Sequence, residues 1–157
     1  MGGFDFTVIA DNLPFLWKGM QMTLLLTALA MVGGIVIGTL LALARLSSIK
    51  PLSMASAVYV NFFRSLPLIL VIFWFYFLVP LVVGQPVGGF YSVLIAFTLF
   101  EAAYYSEIIR AGISSVRRGQ VAAALALGMT YTQSMRYIVL PQAFRAMVPI
   151  LLTQAII

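Results

Sequence analysis

The chain contains no cysteine and no histidine. Disulfides, thiolate chemistry, imidazole metal sites and Ser-His or Cys-His catalysis are therefore excluded. Charge is scarce as well. Only 8% of the 157 residues are charged, against about 25% in an ordinary soluble domain. Acids are scarcer than bases, four against nine, for a net charge of +5. The bases fall between hydrophobic runs rather than along one polar face, so they do not suggest nucleic acid. No internal repeat and no low-complexity segment is visible. What remains is apolar: 63% of residues are hydrophobic, and the mean hydropathy is +1.10. A soluble fold of this size could not hide so much apolar surface, which makes the bilayer the implied solvent.

Gly19 to Ala44 is a run of 26 residues without a charge, longer than the roughly 20 needed to cross a bilayer. It is too long for a signal-peptide core. Asp5 and Asp11 precede it with only Lys18 as a base, so it lacks a basic leader. A second span is expected from about Val58 to Val79, with Arg64 near its start and Pro67 opening or kinking the helix. "PLVVGQPVGG", Pro80 to Gly89, reads as a loop. A third span runs from about Phe90 to Ala111. A fourth apolar run starts near Ala146 and covers about 18 Å of helix, short of the roughly 30 Å hydrocarbon core. The expected architecture is an all-α polytopic membrane protein with three full spans and a partial fourth. Residues 1–18 would form an extracytoplasmic segment, and residues 19–157 a transmembrane domain incomplete at its C-terminus.

The bases set the expected orientation. Arg45, Lys50, Arg64, Arg110, Arg117, Arg118, Arg136 and Arg145 fall on one side, leaving Lys18 on the other. This puts the N-terminus outside and the segment between the third and fourth spans in the cytoplasm. Trp17 and Tyr91 lie where an outer aromatic belt would be, and Trp74 nearer the outer half of the second span.

That cytoplasmic segment, "RRGQVAAALALGMTYTQSMRYIVLPQAFR" from Arg117 to Arg145, reads as a helix, a turn and a second helix. Gly119 can cap the first helix, and Gly128 fits the position just past its end. The alanines and leucines between them are strong helix formers. Thr130 followed by Gln133 is a capping-box pattern. Pro141 and Pro149 would punctuate re-entry into the membrane. Val121 and Leu125 share an apolar side that wants a partner, either the chain's own membrane domain or a second protein.

The segment resembles the cytoplasmic signature of permease subunits of ABC importers: Glu-Ala-Ala, three residues, Gly, nine residues, Ile, one residue, Leu-Pro. Ala123 and Ala124 take the alanine positions, Gly128 the glycine, Ile138 the isoleucine, and Leu140-Pro141 closes the pattern. "NFFRSLPLIL", "YYSEIIRAGI", "RGQ" and "LPQAFR" resemble the subfamily that imports polar amino acids. "FEAAYYSEIIRAGI" most resembles glutamate/aspartate permeases. The resemblance covers the chain from about Pro14 onward. It implies a type I ABC-importer transmembrane domain in a bacterial inner membrane. Gly119, Gln120, Ala122, Ala123, Ala124, Leu125, Gly128, Ile138, Leu140 and Pro141 would form the ATPase-coupling segment. It also implies a separate ABC ATPase subunit, a second like or identical permease subunit and an extracytoplasmic amino-acid-binding protein. ATP and Mg would belong to the ATPase, with no cofactor in this chain; the absence of a Gly-x-x-x-x-Gly-Lys-Ser/Thr loop agrees.

The sequence departs from the pattern in two places. The glutamate position is Ala122, so a carboxylate expected in the first helical turn is missing, worth roughly 0.3–1 kcal/mol against the helix dipole. Family members also complete the fourth helix and add a fifth, which makes this sequence either a fragment or a truncated product.

Ala30, Gly34, Gly38 and Ala42 form a small-residue stripe along the first span, suited to close packing on the subunit's own helices or in a dimer. Glu101 lies near the middle of the third span, where a carboxylate is expensive and hence a functional candidate; the alternative is a buried Glu hydrogen-bonded within the bundle. Tyr104 and Tyr105 could share its face, making the three the substrate-path candidates. Glu107 and Arg110 read as an ordinary helix-surface pair. No catalytic or metal residue is expected. The competing reading is a small helical membrane anchor or assembly protein without transport activity.

Overall fold

A computed structural model describes residues 6–85 and 88–156. A short helix α1 (Phe6–Asp11) leads into α2 (Leu13–Leu46). Pro14 sits in the first turn of α2, where its missing N–H costs nothing. The helix therefore starts six residues before the apolar run, and Leu13–Lys18 belong to it. Met1–Asp5, including Asp5, lie outside the described residues.

α2 packs along α5 (Gly89–Ser114), the third span of the sequence reading. Its buried residues are Ala30, Gly34, Gly38 and Ala42. Gly34 faces Glu101 and Tyr105, and Gly38 lies against the Ala102 carbonyl and Tyr105. A Cβ at Gly38 would come within 2.9 Å of that carbonyl oxygen. Close approach of two backbones is what the small-residue stripe makes possible. Residue numbers rise together along the contact, from Gly33 on Thr98 to Gly38 on Tyr105, so the two helices run parallel. Of the partners left open for the stripe, the described residues put α5 of the same chain against it.

The second span differs from expectation. Residues 58–64 belong to α3 (Lys50–Arg64), which is bent by 103° from α4 (Leu68–Val83). Pro67 sits in an extended conformation between them, with no N–H to carry the helix on. α3 buries Ser56 and Val60 against the bundle and exposes Met54, Val58 and Phe62. α4 covers α5 through Val71, packed with Ala96 and Phe100. It continues to Val83, so Pro80 is helical and the expected loop shrinks to the stretch from Gly84, whose φ is +73°. Pro86 lies outside the described residues.

The final helix also differs. α7 runs unbroken over Tyr131–Ile156, so the helix expected to start at Ala146 starts fifteen residues earlier. Pro141 does not end it because the turn just before, Met135–Val139, is a π-helical turn. The same arrangement occurs in α4, where the π-turn Trp74–Leu78 precedes Pro80. In both, the proline lies two residues past the wide turn. Widening relieves the clash between the proline ring and the carbonyl four residues back, that of Tyr76 or Tyr137. α7 runs antiparallel to α5, with Met147 against Gly112 and Gln154 against Glu101. Among the described residues, three helices are long and apolar enough to cross a membrane, or four if the bent α3–α4 pair is one span. No strand occurs among them.

Candidate functional site

The helix-turn-helix stands at the end of the bundle where α2 and α5 finish. Its first helix, α6, spans Arg118–Ala126. Arg117 precedes it as N-cap, so Gly119 is the second helical residue rather than the cap. A glutamine at the third position, Gln120, reaches across to α7, where Gln142 Nε2 donates to its Oε1 at 3.4 Å and to the Ile138 carbonyl at 3.0 Å.

The turn is set by local chemistry. Gly128 takes φ +82°, a left-handed conformation that favours glycine. Its N–H donates to the Leu125 carbonyl at 3.0 Å, and the Met129 N–H to that of Ala124 at 3.1 Å. This paired closure satisfies the carbonyls at the end of α6. Two residues later the capping box forms: Gln133 N donates to Thr130 Oγ1 at 3.3 Å, and Thr130 N to Gln133 Oε1 at 2.8 Å. One helix thus ends in a paired backbone closure and the next begins in a reciprocal side-chain cap.

α6 rests on the first turns of α7 through Ala124, which is 3% exposed, with Val121 half-buried beside it. Ala122, Ala123, Leu125 and Leu127 point away, Leu127 being 84% exposed. Val121 and Leu125 therefore divide the two expected partners: the former faces the chain's own helix, the latter is exposed. Ile138 lies in the π-turn, and Leu140 and Pro141 follow it on the exposed side of α7. Ala122 falls in the second turn of α6, not the first, so a glutamate there would gain little from the helix dipole.

Further into the bundle, Glu101 borders a cavity of about 170 Å³ between α2, α5 and α7. Thr27, Met31, Phe97, Tyr105 and Gln154 are among the residues that line it, with Ala155 and Ile156 at the end of α7. Gln154 Nε2 donates to both carboxylate oxygens, at 3.2 and 3.4 Å. Tyr105 is 1% exposed and wedged beside Gly34. Tyr104 does not share this cavity. One residue earlier on the helix is about 100° around its axis, and that rotation turns Tyr104 toward α3 and α4. There its ring contacts Phe100 and carries the Arg64 guanidinium 5.5 Å from its centroid.

Glu107 is not an ordinary surface pair. It bonds Arg110 through both oxygens, one contact being 3.3 Å from Nε, and it also takes Arg45 from α2. Arg64 from α3 stands 3.9 Å away. One carboxylate thus ties the ends of three helices. The spacing of Glu107 and Arg110 announced only the local partner; Gln154 and the two remote arginines left no signal in the sequence.

The geometry has counterparts among known proteins. Residues 34–157 match the family model described as the binding-protein-dependent transport system inner membrane component. The chain is 53% identical to the glutamate/aspartate import permease protein GltK of Escherichia coli O6:H1, over 98% of this chain and 72% of that protein. It is 39% identical to the probable glutamine ABC transporter permease protein GlnM of Bacillus subtilis, over 91% of this chain and 66% of that one. A crystal structure of an amino acid ABC transporter with histidines superposes with a TM-score of 0.91 at 35% identity, covering 99% of this chain and 72% of that one. A membrane anchor without a transport role does not account for these matches. The chain belongs to the inner-membrane components of binding-protein-dependent transport systems, as a multi-pass permease subunit of an amino-acid ABC importer.

Proposed function

We propose that the chain, paired with a second permease subunit, moves acidic amino acids, glutamate and aspartate, across the inner membrane by alternating access. The 53% identity to the E. coli glutamate/aspartate permease along 98% of the chain is the observation that carries this reading. An extracytoplasmic binding protein delivers the amino acid to the side bearing the N-terminus. A separate ATPase, holding ATP and Mg, docks on the exposed Ala122, Ala123 and Leu125 of α6 and on Leu127 just past its end. The eight bases gathered away from Lys18 support a cytoplasmic location for that helix. Its closed turn and capping box support a stiff connection to α7, through which ATPase closure reaches the bundle.

Glu101 holds the amino group that every amino acid carries, while Gln154 keeps its carboxylate oriented in the cavity. Phe97 and Met31 give the cavity apolar walls that shed water around the bound zwitterion.

The test is reconstitution of the permease pair with its binding protein and ATPase in proteoliposomes. ATP-dependent uptake of labelled glutamate is expected, with unlabelled aspartate competing and arginine not. Preference for arginine would overturn the substrate reading. The ATPase should co-purify with the wild-type permease and be lost on Leu125→Asp; undiminished ATPase binding by that variant would remove α6 as the docking helix.

A further inference from the structure

The Glu107 hub holds more donors than its carboxylate can serve. Arg45, Arg64 and Arg110 all face it. Each guanidinium carries five N–H groups, so roughly fifteen donors meet about four lone-pair positions. The charges are unbalanced too: three cations and one anion leave 3 − 1 = +2. The other acids cannot help. Asp11 ends α1 beyond the far end of α2, and Glu101 is held by Gln154 in the cavity. Asp5 lies outside the described residues.

Water does not fully compensate for the surplus either. The side chains of Arg45 and Glu107 are 15% and 23% exposed, and that of Arg64 opens furthest outward at 39%. On the helix that ends in Arg64, the apolar Met54, Val58 and Phe62 are also exposed. In a membrane-embedded chain such side chains meet acyl chains. The surplus charge therefore lies beside an apolar surface, an arrangement that matches an amphiphile with an anionic head.

We propose that the hub binds a phosphate group, presented by the headgroup of an anionic phospholipid whose chains lie along α3. Guanidinium forks take phosphate oxygens two at a time, and the phosphate charge moves the hub toward neutrality. Free phosphate offers the same head without the chains. The proposal rests on membrane embedding and holds whichever amino acid is carried.

The test uses the assembled importer in nanodiscs containing both phosphatidylcholine and phosphatidylglycerol, with retained lipid read by native mass spectrometry. Phosphatidylglycerol should be retained in preference to phosphatidylcholine. Arg64→Gln should cut that preference about fivefold. Lys50→Gln, which removes a base of the same helix outside the hub, should leave it within about twofold of wild type. A parallel arm titrates inorganic phosphate against the importer in neutral detergent and reads its thermal midpoint. A phosphate-dependent rise that Arg64→Gln abolishes, without any lipid preference, would assign the hub to free phosphate. No response in either arm, or equal losses in Arg64→Gln and Lys50→Gln, would overturn the site. If Arg64→Gln fails to assemble, Arg110→Gln decides by the same readings.

Discussion

Glu101 and Glu107 stand on one helix, six residues apart, in opposite surroundings. Glu107 lies near the end of α5 with three guanidiniums around it. Glu101 lies deeper, beside a cavity, with one amide donor and no cation against it among the described residues. A carboxylate inside a bilayer-embedded bundle is costly in either position. At Glu107 the cost is offset by ion pairs, and the gain is mechanical, since α2, α3 and α5 are tied at one point. At Glu101 little offsets it within the chain. Its unfilled acceptor capacity faces a cavity, the condition in which a ligand cation gains most. The pair shows how one residue type on one helix divides into a fastening and a candidate binding group.

The strongest way to break the comparison is to remove the platform both carboxylates share. Gly38→Val would push a branched side chain onto the Ala102 carbonyl and Tyr105. Backbone cannot yield as a flexible side chain can, so a cost of about 3 kcal/mol or more is expected. Little assembled importer should be recovered, and a monodisperse complex at wild-type yield would show that α2 and α5 are not so closely packed.

The second test separates the two carboxylates by activity. Glu101→Gln keeps the shape and removes the charge. If Glu101 holds the substrate amino group, kcat/KM for uptake should fall about tenfold or more, as for a lost charged hydrogen bond. The thermal midpoint should barely move. Unaltered rate and selectivity would leave Glu101 as a packing residue bonded to Gln154.

Glu107→Gln should show the converse. Three arginines would lose their common anion, and removing one partner of a buried ion pair costs 3–5 kcal/mol. Because Glu107 is partly exposed, about 1–3 kcal/mol is expected here. That should appear as a lower midpoint for the purified complex, while the KM for uptake stays within about twofold. A large KM change with an unchanged midpoint would reverse the roles of the two residues.

The sequence revealed these features to the extent that they are local. The Gly128 turn and the Thr130–Gln133 box close within a few residues, and both were legible. So was the small-residue stripe, because its four-residue period is a property of one helix. The Glu107 hub was not, since Arg45 lies 62 residues away and reaches it only after α2 and α5 pack in parallel. Tyr104 reads as a companion of Glu101 because spacing along a helix tells which residues are near one another, not which neighbour each meets. Pro141 reads as punctuation because a proline in an apolar run can end a helix, yet it can also follow a π-turn, and composition does not distinguish the two. Gly119 reads as a cap for a similar reason: glycine suits a helix start, yet Arg117 holds that position and Gly119 lies inside.

The smallest expected effect comes from adding a carboxylate that has neither environment. Ala122→Glu restores the residue that the signature carries at this position. On α6 it would stand exposed in the second turn, four residues after Arg118. A pair at that spacing, with the base on the N-terminal side, is worth a few tenths of a kcal/mol at most. The dipole adds little so far from the helix start. Stability should therefore stay within about 0.5 kcal/mol of wild type. ATP hydrolysis coupled to transport should be unchanged or modestly raised, because the new charge sits on the face proposed to meet the ATPase. A clear fall in coupled hydrolysis at unchanged stability would mean that Ala122 meets an acidic or tightly packed surface on its partner. That result would set the α6 contact of this chain apart from one built around a glutamate.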